Sequence, residues 1–203
     1  MKTIVTIDFD NVLADSARCF LAYYHDRYDL VDYESINHAY LQDNPEFTKF
    51  NFREYFDFLD RAHQNHLKPM ELLPIQLFQD MFDLHIVTRE NSQKSITQAW
   101  LDLHLPVFTA IHYANDMTKD SISKGEICSI SILHLDDFFH YSESVADQEI
   151  PVLLFSAPWN TYQDNSYITR IHRNSINHSL IFDQLNHEEN NDSPHLIISK
   201  KDS

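Results

Sequence analysis

Five short stretches of the chain are dominated by consecutive apolar residues and stop at polar ones: Lys2–Phe9, Leu84–Thr88, Ala110–Tyr113, Ile130–Leu135 and Pro151–Phe155. A strand that is apolar on both faces belongs in a parallel sheet covered on both sides. Helix-patterned segments alternate with these runs as far as about residue 160, which predicts an α/β fold with a parallel sheet. About 75 residues separate the first two runs, far more than a crossover helix requires. A helix near Ser16–Tyr28 and an aromatic-rich run over Phe47–Leu59 predict a small helical cap over 16–70. Glu71–Met81 then has apolar residues at helical spacing and returns the chain to the core. The core is thus expected over 1–15 and 71–185. Residues 186–203, rich in Asn, Asp, Glu, His, Ser and Lys, are expected to form a flexible tail.

The polar residues that end these runs carry the chemistry, because ligands of such sheets bind beyond the carboxyl ends of the strands. The first run delivers Asp8-Phe9-Asp10-Asn11-Val12-Leu13-Ala14-Asp15 to that edge. Asp8 and Asp10 are close enough that a hard cation is the simplest way to balance them, and magnesium is the natural candidate. The same residues also suit a turn at Asp10-Asn11 and a helix cap at Asp15. An EF-hand loop falls away, since its glycine and glutamate positions hold Leu13 and Cys19.

Three later stations repeat the pattern. The second run closes on Thr88 and Arg89, a hydroxyl and a guanidinium suited to phosphate oxygens, although a threonine also ends many ordinary strands. Lys124 sits beside Gly125, the only glycine, with room to reach a site, although a lysine taken alone more often faces solvent. The fourth run closes on Asp136 and Asp137, a second acidic pair. Two acidic strand ends can build an oxygen-ligand magnesium site, while a hydroxyl and a lysine hold the phosphate that the metal also touches.

Bulk properties narrow the partners. The 203 residues suffice for one well-packed core with a small insertion. Fifteen Lys and Arg against 31 Asp and Glu give a net charge of −16, which opposes binding to a nucleic acid polymer or an anionic membrane. Cys19 and Cys128 form neither a disulfide framework nor a metal knuckle. Lys2 precedes no secretory pattern, and no apolar run approaches the roughly 18 residues of a membrane span, so a cytoplasmic location is expected. A single glycine excludes glycine-rich phosphate loops. Thirteen histidines are scattered without a metal-binding spacing, which reads as compositional habit.

The order of the four stations resembles the haloacid dehalogenase (HAD) superfamily. Its phosphatases show Asp-x-Asp-x-Thr/Val, a strand-terminal Ser or Thr, a Lys, and a strand ending in an acidic pair. The resemblance implies a three-layer α/β/α sandwich with a Rossmann-like parallel sheet and a cap inserted after the first strand. It makes Asp8 the nucleophile that forms an aspartyl-phosphate and Asp10 the acid and then the base. Asp8, the backbone carbonyl of Asp10, Asp136 and Asp137 would hold Mg2+, and Thr88, Arg89 and Lys124 would bind the phosphoryl group. Asp-x-Asp-x-Val-Leu-Ala-Asp is similar to the 5'(3')-deoxyribonucleotidase-like group (5' nucleotidase, deoxy type C), as are Pro158-Trp159-Asn160 and the later Arg170 and Arg173. Two positions depart from that group: Asn11 stands where glycine is usual, and Arg89 follows Thr88 without a small residue between. The implied substrate is a small phosphorylated molecule, a nucleoside monophosphate, whose base could stack on Phe50, Phe52, Tyr55 or Phe56 unless those rings form the cap's own core. The alternatives are a phosphatase for a sugar phosphate or another small phosphomonoester, and a catalytically silent binding protein of the same fold.

Overall fold

The computed structural model describes residues 2–27, 32–36, 47, 53–54, 67–70, 75–89, 94–114, 122–160 and 165–172. Its strands are β1 (Thr3–Ile7), β2 (Phe82–Arg89), β3 (Ala110–Ala114), β4 (His134–Asp136), β5 (Val152–Phe155) and β6 (Ile168–Ile171). The helices among the described residues are α1 (Ser16–His25), α2 (Ile75–Met81), α3 (Lys94–His104), α4 (Lys124–Cys128) and α5 (Phe139–Ala146), with a 3-10 turn at Tyr33–Ser35. All strand pairs are parallel, in the order β3-β2-β1-β4-β5-β6. The chain has the α/β architecture that its alternation predicts.

Strand alternation sorts the core into two faces. Val5, Ile7, Leu84, Ile86, Leu135, Leu153 and Phe155 line one face, where they pack with Ile75 and Phe78 of α2 and Trp100 and Leu101 of α3. The Trp100 ring meets Phe9 edge to face at 5.1 Å, and its indole N–H donates to the Leu67 carbonyl at 2.6 Å. Val87 and Val152 lie on the other face, under Cys128 of α4 and Val145 and Ala146 of α5. The sheet is therefore sandwiched between helices. A separate aromatic cluster joins Phe20 and Tyr24 of α1 to Phe47, Ile36 and Trp159.

The observed elements differ from the expected ones in instructive places. β4 starts at His134 rather than Ile130, because the preceding residues still serve the end of α4. Ser129 N–H donates to the Gly125 carbonyl and Ser131 N–H to the Cys128 carbonyl, and Ile130 is exposed. β6 was not expected: its Ile168, Thr169 and Arg170 are half-buried on an edge strand, so no continuous apolar run marks it. α1 ends at His25, three residues short of the expected Tyr28. Most of the proposed cap, including Phe50, Phe52, Tyr55 and Phe56, lies outside the described residues, as do Arg173 and the tail from 186. No helix among the described residues is long and apolar enough to cross a membrane.

Candidate active site

The strand order reverses direction between β1 and β4, and in open parallel sheets a crevice forms beyond the strand ends at such a point. Asp8 follows β1 there, and its backbone N–H donates to the Leu135 carbonyl at 2.9 Å, tying it to β4. The chain then folds back tightly: Leu13 and Ala14 N–H both donate to the Phe9 carbonyl. Asn11 takes a left-handed conformation, φ 55°, which asparagine tolerates better than most side chains, so it does the work of a turn glycine. Its Oδ1 also accepts from Ala17 N–H at 2.8 Å, while Asp15 caps α1 by accepting from Arg18 N–H. Turn and cap thus fall to Asn11 and Asp15, and Asp8 and Asp10 are left for other work. Asp10 Oδ1 accepts from the Ser16 hydroxyl at 2.5 Å.

Lys124 is the first residue of α4, a helix started by a capping box between Ser123 and Glu126. It is 2% exposed. Its ammonium donates to Asp8 Oδ1 at 2.8 Å and to Asp136 Oδ2 at 2.7 Å. Gly125 permits this approach, since a Cβ there would stand 2.1 Å from the Ser144 carbonyl oxygen of α5. Asp136 is fully buried, and its Oδ1 accepts from Phe138 N–H at 2.9 Å. The Asp137 backbone is clamped by the segment that follows β5: its carbonyl accepts from Trp159 Nε1 at 3.0 Å and Asn160 Nδ2 at 2.7 Å. Asn160 Oδ1 in turn accepts from Phe139 N–H, serving the start of α5, where Phe138 supplies no side-chain cap.

His134 completes the cluster. Its Nε2 lies 3.1 Å from Asp136 Oδ2, and its Nδ1 lies 3.0 Å from Thr6 Oγ1 and 3.2 Å from the Thr6 carbonyl. A carbonyl only accepts, so Nδ1 carries a proton, and the ionised Asp136 requires one on Nε2. Hydroxyl protons fit this: Ser131 donates to the Cys128 carbonyl at 2.8 Å and Thr6 to Ser131 at 3.0 Å, which leaves Thr6 Oγ1 to accept from the ring. Burial works against the imidazolium, but Cys128 and Asp136 outweigh it and push His134 up to about 9.

The carboxylates respond to the same surroundings. Burial raises Asp8 to about 7, with Asp136 and Asp10 pushing the same way and Lys124 opposing. Burial also raises Asp10, against the Ser16 hydrogen bond. For Asp136 burial is overcome by Lys124 and His134, which hold it well below the usual range. Burial alone would lower Lys124, but Asp136 and Asp8 raise it. Three acids, Asp8, Asp136 and Asp137, stand beside two cations, Lys124 and His134, so a negative charge remains when all three are ionised. Carboxylate oxygens of Asp8, Asp136 and Asp137 lie within 4.8 Å of one another, a hard-oxygen set suited to magnesium. The Asp10 carboxylate, turned to Ser16, is outside the set, so any part of Asp10 in holding metal falls to its backbone carbonyl.

The structure therefore brings Asp8, Lys124, Asp136 and Asp137 together. Thr88, buried, and Arg89, half-buried, end the neighbouring strand β2. By alternation Thr88 follows Ile86 on the face of α2 and α3, and Arg89 follows Val87 on the face of α4. Sequence reasoning missed Ser16 and His134. The signal for His134 was present: a histidine interrupts an apolar strand two residues before an aspartate, which puts both on one face.

No family model matches the sequence, and no curated protein does. Solved structures match at low identity. A conserved haloacid dehalogenase-like protein from Agrobacterium tumefaciens shares 16% identity over 76% of this chain and 83% of its own, with a TM-score of 0.55. CbbY from Rhodobacter sphaeroides, solved with phosphate, shares 11% over 86% and 96%, with a TM-score of 0.54. A putative beta-phosphoglucomutase from Thermotoga maritima shares 15% over 92% and 98%, with a TM-score of 0.51. What these likenesses establish is architecture: the chain has a HAD-like α/β fold.

Proposed function

We propose that the chain is a magnesium-dependent phosphomonoester hydrolase that works through an aspartyl-phosphate on Asp8 and takes a nucleoside 5'- or 3'-monophosphate. The observation that carries this reading is the buried junction in which Lys124 joins Asp8 to Asp136 at the ends of adjacent strands. Asp8, Asp136, Asp137 and the Asp10 carbonyl would hold Mg2+, which when bound supplies charge neutralisation for the transferring phosphoryl group.

The Asp8 carboxylate attacks phosphorus, and the bond to the leaving alkoxide breaks as Asp10 gives that oxygen a proton. Lys124 opposes the effect of burial on Asp8 and favours the ionised form that attack needs. Burial favours the protonated form of Asp10, against the Ser16 bond, and that bond to Oδ1 leaves Oδ2 to deliver the proton. Asp10, now a carboxylate, takes a proton from water as that water attacks the aspartyl-phosphate, which releases phosphate and restores Asp8. The third Lys124 N–H, with Thr88 and Arg89, would cradle the phosphoryl oxygens.

The nucleotide assignment rests on the resemblance of residues 8–15 and 158–160 to the deoxyribonucleotidase-like group. Hydrolysis of a sugar phosphate by the same residues is the second reading, favoured by the likeness to a putative beta-phosphoglucomutase. Phosphate release from nucleoside monophosphates, sugar phosphates and p-nitrophenyl phosphate, with Mg2+ and with chelator, tests both. We expect Mg2+-dependent release led by nucleotides and lost in Asp8→Asn with the fold intact. Turnover near wild type in Asp8→Asn sinks the mechanism, release from sugar phosphates alone selects the second reading, and no release from any ester selects a silent binding protein.

A further inference from the structure

We propose that His134 is a positioning residue for Asp136, holding that carboxylate so that Oδ1 alone is left to ligate a divalent cation. The proposal rests on the metal-dependent reading above and adds a residue to it.

A carboxylate offers about four acceptor positions, two on each oxygen. Lys124 Nζ and His134 Nε2 both donate to Asp136 Oδ2, at 2.7 and 3.1 Å, and fill it. Phe138 N–H takes one position on Oδ1 at 2.9 Å, and the remaining one is the cation's. Lys124 cannot fix this orientation alone, because it is shared with Asp8 and its ammonium can follow either carboxylate. His134 can, because its ring is immobilised from behind: it is 0% exposed, and Nδ1 is held by the Thr6 hydroxyl and carbonyl of its register partner on β1. The Nε2 N–H is aimed at Asp136 Oδ2 across 3.1 Å. A bonded series Ser131–Thr6–His134–Asp136–Lys124–Asp8 thus runs from the sheet interior to the nucleophile. Partners that orient metal ligands from outside usually change metal affinity about 10- to 100-fold when removed.

Mg2+ affinity, measured by calorimetry on the full chain, tests this for the wild type, His134→Gln, His134→Leu and Thr6→Val. Glutamine keeps an N–H at the reach of Nε2, so His134→Gln should stay within about threefold of wild type, whereas His134→Leu should lose about 10- to 100-fold. Thr6→Val removes the hydroxyl behind the ring at nearly constant volume, keeps the carbonyl and leaves Asp136 untouched. It should weaken Mg2+ in the same direction and keeps the test decisive should the leucine variant not fold. In turnover assays the concentration of Mg2+ at half-saturation should rise more than kcat falls. Equal Mg2+ affinity in every folded variant overturns the role of His134 alone. Equal losses in the glutamine and leucine variants assign His134 to packing and also overturn it. A wild type that binds no Mg2+ overturns the metal-dependent reading together with this one.

Discussion

At the scale of single residues, the two aspartates of the first strand end have been given different surroundings. Asp8 shares an ammonium with Asp136, while Asp10 leans on a hydroxyl and is pushed toward its protonated form by burial. Asp10→Asn should therefore lower kcat by about 10²- to 10⁴-fold, the usual worth of a positioned acid, while Mg2+ affinity changes little. Steady-state kinetics beside a metal titration checks both halves. Loss of metal binding in that variant would instead give the Asp10 carboxylate a ligand's part. Asn11 accepts the turn's left-handed backbone, as a glycine would, and adds a bond to Ala17 N–H that glycine could not make.

At the scale of elements, the approach of α4 to α5 decides whether Lys124 reaches its carboxylates. Gly125→Ala puts a methyl group within 2.1 Å of a backbone oxygen, so the helices must separate. We expect a loss of about 1–3 kcal/mol in urea denaturation, with turnover falling further as Lys124 is carried away from Asp8. On the same sheet face, His85 Nδ1 lies 3.0 Å from His112 Nε2. Burial first, and then His112, hold His85 below its ordinary value of 6.5. The folded state binds this proton less readily than the unfolded chain. The stability involved is present above about pH 6.5 and is lost as pH falls through the lower folded value. Asp8 and His134, both raised, change stability the other way over pH 7.5 to 5, so the His85 contribution is read as a difference: His112→Gln should gain stability relative to the wild type as pH falls over that range, and a difference that does not vary with pH assigns the effect to other groups. Strand ends were readable because burial on both faces forces an apolar run and chemistry forces its interruption. β6, half-buried at an edge, obeys neither constraint. Thr6 was hidden for a different reason: what identifies it is pairing with His134 across 128 residues, which no local spacing encodes.

At the scale of the whole molecule, a net charge of −16 and a buried acidic cluster make the same demand for a counter-cation. Mg2+ should raise the melting temperature: at a hundredfold excess over Kd the gain is about 2.7 kcal/mol, or roughly 5–10 °C for a chain of this size. A scan with Mg2+ and with chelator measures it, and coincident curves would mean that no cation binds the folded state. The site also lies across the narrowest join in the sheet. β1 meets β4 through two register pairs, Thr6 with His134 and Ile7 with Leu135, whereas β1 meets β2 through five. Three strands on each side are thus sewn together by a short seam, and the side chains that stitch it are the same ones that lead to Asp136. An occupant gripping Asp8 on one edge and Asp136 on the other acts as a rivet through that seam, so filling the site stiffens the sheet where its own backbone ladder is thinnest.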